Sequence, residues 1–195
     1  YKQPEQAFIQ PNGVVNQEML GWACAHAQNS NKDLLELYCG IGNFTIPLSK
    51  HYRRVLATEV SKVATRAAQE TLVLNEVDNV AFARLAAEEV TQAMNGEREF
   101  RRLKSLDPRL SDYDLATVFV DPPRAGLDDG TARLCQKFNQ ILYVSCNPLT
   151  LIDNLKSFSV THRIQALAFF DQFPYTHHLE CGVSLIQRGA HESTN

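Results

Sequence analysis

The chain has 195 residues, 44% of them hydrophobic and 21% charged, enough for one domain with a full core and too few for two comfortable ones. Its formal net charge of -3 is unlike the basic surface by which a domain usually holds nucleic acid unaided. No apolar run is long enough for a membrane-spanning helix and no secretory leader opens the chain, so a cytoplasmic location is expected. The first residue is Tyr1, and Met19 and Met94 are poor starts; a piece of a longer protein is expected, with an N-terminal part missing. Five cysteines, at 24, 39, 135, 146 and 181, are odd in number and show no C-x-x-C spacing. That argues against a zinc or iron–sulfur site and leaves free thiols as the expectation.

In chain order, a helix is predicted over residues 15–28, then a polar turn over 29–33. A short buried strand over 34–38 runs into Cys39-Gly40-Ile41-Gly42-Asn43, and a helix follows over 44–51. A second strand over 54–58 ends at Glu59, and a long helix covers 62–75. A third strand spans 80–84, and a further helix ends near Met94. Residues 95–114 are polar and read as a solvated loop. A fourth strand over 115–120 ends in Asp121-Pro122-Pro123-Arg124, with a helix over 131–138. A fifth strand over 140–145 ends in Cys146-Asn147-Pro148, with a helix over 149–157. Strands over 163–170 and 181–187 form a final pair, connected by 171–180, and residues 189–195 form a polar tail. This alternation predicts an α/β fold, a Rossmann-like, mostly parallel sheet with a C-terminal antiparallel strand pair, as a single domain over 1–195.

The unusual residues all fall just after predicted strands, and ligands of open parallel sheets bind at the carboxyl ends of strands. A strand leading into Gly-x-Gly and a helix makes a tight turn that backbone and ligand approach closely. Glu59, about twenty residues on, has the spacing of an acid that holds a ribose hydroxyl. A dinucleotide site prefers a third glycine, whereas here that position is Thr45, with Asn43 and Phe44 crowding a pyrophosphate. A nucleoside without phosphates fits better, which points to S-adenosylmethionine; a dinucleotide oxidoreductase is the rival reading. Asp121-Pro122-Pro123 is similar to the motif of amino-group methyltransferases, but Arg124 stands where their stacking aromatic would be.

Cys146 sits at a strand end before Pro148, a good first helical residue. A thiol near a helix N-terminus ionises more easily, and the thiolate is the nucleophile. Glu180 precedes an apolar strand and, if partly desolvated, suits proton abstraction. His177 and His178 are rival bases; on extended chain they point to opposite faces, which argues against a metal site. Phe173 and Tyr175 either stack on a displaced base or pack beneath the connection.

Phe8-Ile9-Gln10-Pro11-Asn12, Leu37-Tyr38-Cys39-Gly40-Ile41-Gly42-Asn43-Phe44, Asp121–Arg124, Ser145-Cys146-Asn147-Pro148 and His178-Leu179-Glu180-Cys181 together resemble the RNA 5-methyluridine methyltransferases. Residues 171–178 and 92–96 resemble the bacterial transfer-RNA branch more than the ribosomal-RNA relatives. The resemblance implies transfer of a methyl group from S-adenosylmethionine to C5 of a T-loop uridine in tRNA. It implies that Gln10, Tyr38, Gly40, Asn43, Glu59 and Asp121 bind the cofactor. Cys146 is then the nucleophile, Glu180 the proton acceptor, and Arg124 a group that positions the uracil or the RNA backbone. It implies no metal, and an additional N-terminal RNA-binding region without which RNA affinity is weak. The chemistry agrees with the roles. C5 of uracil is a poor nucleophile until a thiolate adds at C6, and a base must later take the C5 proton so that the thiolate can leave. C6 of a stacked base is shielded, so the target must be flipped out or presented by a loop.

Overall fold

The computed structural model describes residues 10–28, 31–176 and 178–189. Helix α1 is Gly13–His26; Asn12 caps it by accepting from the backbone N–H of Val14 and Val15, both at 3.2 Å, so the helix starts two residues before the apolar pattern begins. Then come β1 (Asp33–Leu37), α2 (Thr45–Ser49), β2 (Arg54–Thr58), α3 (Lys62–Leu74), β3 (Val80–Ala83) and α4 (Ala87–Met94). The stretch read as a solvated loop instead holds the short α5 (Arg101–Lys104) and a 3-10 turn (Leu110–Asp112), and Phe100 and Leu103 are buried in the core. Charges on either side of these two apolar residues mask their burial in the sequence. The chain continues through β4 (Leu115–Val120), α6 (Asp129–Cys135), β5 (Gln140–Ser145), α7 (Pro148–Phe158), β6 (His162–Phe170) and β7 (Glu180–Gln187). Asp128 and Asn147 cap α6 and α7 with their side chains. The expected turn at 29–30 and the tail beyond 189 lie outside the described residues.

Among the described residues the strands form one seven-stranded sheet in the order β3-β2-β1-β4-β5-β7-β6. β1 to β5 are mutually parallel, and β7 runs antiparallel between β5 and β6. The expected α/β architecture with its final antiparallel pair is what the chain adopts. The pair is not an appendage: β7 enters between β5 and β6, so its second residue, Cys181, lands beside Ser145, the last residue of β5. Strand order reverses between β1 and β4, which places the ligand crevice of this architecture at their carboxyl ends.

Helices cover both faces, so β1 and β5 are buried throughout, as parallel strands between two helical layers must be. Leu35, Leu37, Val120 and Tyr143 face one core with Val90 of α4, Leu134 of α6 and Leu151 of α7. Leu34, Phe119 and Leu142 face the other with Met19 and Ala23 of α1 and Leu48 of α2. The α1 layer presses closely on β7 at Gly182: a Cβ there would lie 2.8–3.0 Å from the Trp22 ring. Gly182→Ala should therefore cost about 1–3 kcal/mol of stability by overpacking. Urea unfolding should show this loss, and Trp22→Leu in the same chain should recover part of it. A neutral Gly182→Ala variant would contradict the contact.

Candidate active site

At the end of β1 the chain turns sharply. Tyr38, Gly40 and Gly42 all have positive φ, at 60°, 55° and 83°, and the left-handed region is tolerable for glycine but strained for tyrosine. This ends β1 at Leu37, one residue before the sequence pattern does. The loop is tied to its neighbour, since Cys39 N–H donates to the Thr58 carbonyl at 3.0 Å. Glu59 bridges the two loops: Oε2 accepts from Gly40 N–H at 3.1 Å and Oε1 from Ser61 N–H at 2.7 Å. Backbone donors thus fix the carboxylate at the crevice, where the spacing argument put it. Asn43 and Asn16 exchange reciprocal amide hydrogen bonds at 2.9 and 3.0 Å, tying the same loop to α1. Gln10 accepts through Oε1 from Gln172 Nε2 at 2.9 Å. Gln172 is buried and its Oε1 has no hydrogen-bond partner. Sequence reading used Gln172 only as part of a motif; a lone amide among the aromatics at 169–175 was the available signal.

Asp121, Cys146 and Glu180 close the other side of the crevice. Asp121 follows β4, Cys146 follows β5, and Glu180 opens β7. Ser145, the last residue of β5, pairs with Cys181 of β7, so Cys146 and Glu180 lie at the same end of the β5–β7 ladder. The electrostatics report the same proximity. Burial pushes the Cys146 thiol up, Glu180 and Asp121 push it further, and Arg124 pulls it back. Burial raises Glu180 to about 7. Burial and then the Glu180 charge raise Asp121 to about 8. The sequence-based expectation of an easily ionised thiol is therefore corrected: burial first, and then the charges of Glu180 and Asp121, raise it.

Glu36 was missed by sequence reading. It sits inside β1, is 1% exposed, and is raised to about 8 by burial, with the Thr45 hydroxyl opposing and Asp121 adding to the shift. Its Oε2 has no hydrogen-bond partner. The signal was an acid alone in the apolar run Leu34-Leu35-Glu36-Leu37. The fold does pair a buried acid elsewhere: at the opposite edge of the sheet Arg53 holds Asp33 with two hydrogen bonds at 2.9 and 2.6 Å. None of Glu36, Glu59, Asp121 and Glu180 has an ion-pair partner among the described residues. Acids without ion-pair partners at the crevice, ready to ionise beside a bound cation, suit a ligand bearing hydroxyls and positive charge.

The remaining candidates divide. Arg124 is exposed at the rim. Burial pushes the Tyr38 phenol up, with Glu88 and Asp128 adding to it and the Thr131 hydroxyl opposing. His177 lies outside the described residues. The His178 ring meets Phe173 edge-on at 5.6 Å between centroids, while Tyr175 is fully exposed and packs beneath nothing. An open groove of ≈ 650 Å³ runs beside Gln172, lined by Asn12, Val14, Gln17, Phe173 and Thr176.

Comparison with known proteins matches residues 1–188 to the family described as tRNA (Uracil-5-)-methyltransferase. The tRNA/tmRNA (uracil-C(5))-methyltransferase of Acinetobacter baylyi is 58% identical over 185 residues, 95% of this chain and 51% of that protein. The one from Pseudomonas entomophila is 58% identical over 188 residues, 96% of this chain and 52% of that protein. The chain spans about half the length of the curated relatives it matches. Among solved structures, the Pyrococcus abyssi tRNA (uracil-54, C5)-methyltransferase in complex with S-adenosyl-L-homocysteine superposes with a TM-score of 0.72 at 27% identity, over 93% of this chain and 40% of that one. A putative RNA methyltransferase from Pyrococcus horikoshii shares the fold, with a TM-score of 0.62 at 13% identity over 96% of this chain and 91% of that one.

The raised acids carry a consequence for stability. Glu36, Asp121 and Glu180 bind protons more tightly folded than unfolded. Their contribution is complete below the unfolded carboxylate range and is lost as pH rises through about 7 to 8. Urea unfolding between pH 5 and 8.5 should show stability falling, and Glu36→Gln, which stays neutral, should flatten the fall. An unaltered slope in that variant would show that Glu36 is ionised in the fold.

Proposed function

This chain belongs to the tRNA (uracil-5-)-methyltransferase family, and we propose that it is the catalytic part of an enzyme that methylates C5 of a T-loop uridine in tRNA, using S-adenosylmethionine. The pairing of Ser145 with Cys181, which brings Cys146 and Glu180 to one end of the β5–β7 ladder where the Glu180 charge acts on the thiol, is the observation that carries this reading. A tRNA substrate implies the cytoplasm.

The crevice fits the cofactor. Glu59, held by Gly40 N–H and Ser61 N–H, is placed for a ribose diol. The unpaired carboxylates of Glu36 and Asp121 suit a ligand carrying an ammonium and a sulfonium. Gln10, Tyr38, Gly40 and Asn43 complete the binding set. When bound, S-adenosylmethionine supplies an electrophilic methyl group to the activated C5 of the uracil.

The residues of the chain do the rest. Cys146 adds through its sulfur to C6 of the uracil, and the ring gains carbanion character at C5. Because burial, and after it the neighbouring carboxylates, raise the thiol, its proton must leave as sulfur adds, to Asp121 or to solvent, so that Glu180 stays ionised for the later step. After methyl transfer, Glu180 takes the C5 proton, the C5–C6 double bond re-forms and the Cys146 thiolate is expelled. A carboxyl near 7 is matched to that task, since it exists in both protonation states at neutral pH. Arg124 at the rim positions the uracil or the phosphate backbone. The net charge of -3 supports weak RNA binding by this chain alone, with phosphate contacts supplied by the remaining half of a full-length protein.

Cys146→Ala should lower methylation of unmodified tRNA by on the order of 10⁴-fold or more, with cofactor affinity retained in calorimetry. Glu180→Gln should slow turnover by roughly 10²–10⁴-fold and accumulate a protein–RNA adduct that resists denaturing electrophoresis. Full turnover in the first variant, or normal release in the second, would remove the corresponding role. Mapping the labelled nucleotide tests the substrate, since a product in ribosomal RNA would move the assignment to that branch.

A further inference from the structure

Asn154 lies in the second turn of α7, and none of its hydrogen-bond partners belongs to the cofactor set. Its side chain nevertheless grips both polar backbone groups of one residue: Oδ1 accepts from Leu127 N–H at 3.0 Å and Nδ2 donates to the Leu127 carbonyl at 3.2 Å. The same Oδ1 accepts from the Tyr143 hydroxyl at 2.8 Å, and Tyr143 is fully buried in β5. Two other residues at the start of α7 take the Arg124 carbonyl, Asn147 through Nδ2 at 3.0 Å and Thr150 through Oγ1 at 3.2 Å. The segment 124–127 thus lies flat on the helix that follows Cys146. Gly126 allows the approach: its φ is +76°, and a Cβ there would come within 3.0 Å of Asn154 Oδ1 and 3.1 Å of Thr150. Asp121 is anchored differently, by the end of β4 and the buried Pro122.

We propose that Asn154 is a positioning residue for the uracil-handling half of the reaction: through Leu127 and Tyr143 it fixes the segment that presents Arg124 beside Cys146, and it leaves the cofactor half untouched. The inference rests on the proposed roles of Arg124 and Cys146. Only an amide supplies what this site requires, one acceptor shared by an N–H and a hydroxyl and one donor to a carbonyl. Aspartate would keep the first and set an anion against the Leu127 carbonyl.

The test uses the intact protein with three readouts: S-adenosylmethionine affinity by calorimetry, single-turnover methyl transfer to unmodified tRNA, and amide hydrogen exchange at Leu127. In Asn154→Ala the Leu127 amide should lose protection and methyl transfer should fall about tenfold or more, because small misplacements near reacting groups are costly. Cofactor affinity should stay within about twofold of wild type, and Asn154→Asp should fall between the two proteins. In an Arg124→Ala background, adding Asn154→Ala should cost less than about twofold, as residues acting through one another are not additive. Cofactor affinity and transfer falling together in both backgrounds would overturn the proposal, since that is what general loosening of the fold produces. If Asn154→Ala does not fold, Tyr143→Phe removes one of the three bonds and should show a smaller effect with the same split. A wild-type protein that transfers no methyl group sinks the functional reading and this proposal with it. An active wild type beside an unaffected Asn154→Ala variant sinks this proposal alone.

Discussion

The pairing of Ser145 with Cys181 is the constraint from which the crevice follows. Five parallel strands deliver Glu59, Asp121 and Cys146 to one edge, as parallel strands deliver every loop that follows them. None of them would deliver a residue that begins a strand. Glu180 reaches the same edge because β7 runs the opposite way, so its amino end coincides with the carboxyl end of β5. Inserting an antiparallel strand between β5 and β6 therefore brings the Glu180 carboxyl toward the Cys146 thiol, which lies far from it in sequence. Gly182, where Trp22 leaves no room for a Cβ, keeps the start of that strand against α1.

The second organising fact is electrostatic. Burying a carboxylate without a partner costs several kcal/mol in real proteins, and the usual response is protonation. At the amino edge of the sheet the fold meets this cost with Arg53 on Asp33. At the carboxyl edge it leaves Glu36, Asp121 and Glu180 close to one another, and two of them shift to about 8. An edge that stores protons near neutral pH is suited to chemistry in which one proton leaves a thiol and another leaves a carbon. A bound cation would release the stored protons, so cofactor binding and proton inventory are coupled.

Much of this was legible before any coordinates. Glycines 40 and 42, Asp121 and Cys146 stand out because strand ends are marked by turn residues, and Pro148 marks the helix that follows Cys146. Glu180 stood out by its position before an apolar strand. What escaped depends on tertiary placement. Strand order is not written in hydrophobic periodicity, so the insertion of β7 was invisible. Glu36 lay in a strand read as buried, and nothing local in the sequence showed that one of its carboxyl oxygens would have no hydrogen-bond partner. Phe100 and Leu103 were hidden in a charged stretch. Asn154 is one polar residue among several on an amphipathic helix, and its role appears only when Leu127 and Tyr143 are seen on either side of it. The thiol's acidity was misjudged because the helix end is local in sequence, while the burial and the carboxylates that raise the thiol come from the fold.

The central claim, one shared cleft in which the sulfur of residue 146 attacks the pyrimidine, is tested most directly by trapping. Replacing the target uridine with 5-fluorouridine removes the proton that Glu180 would take, so the adduct should persist after the methyl group has been transferred. Intact-mass and peptide spectrometry should then find protein, RNA and one methyl group joined, with the link on the peptide containing Cys146. A link on Cys24, Cys39, Cys135 or Cys181, or methylated RNA with no trapped species, would contradict the account.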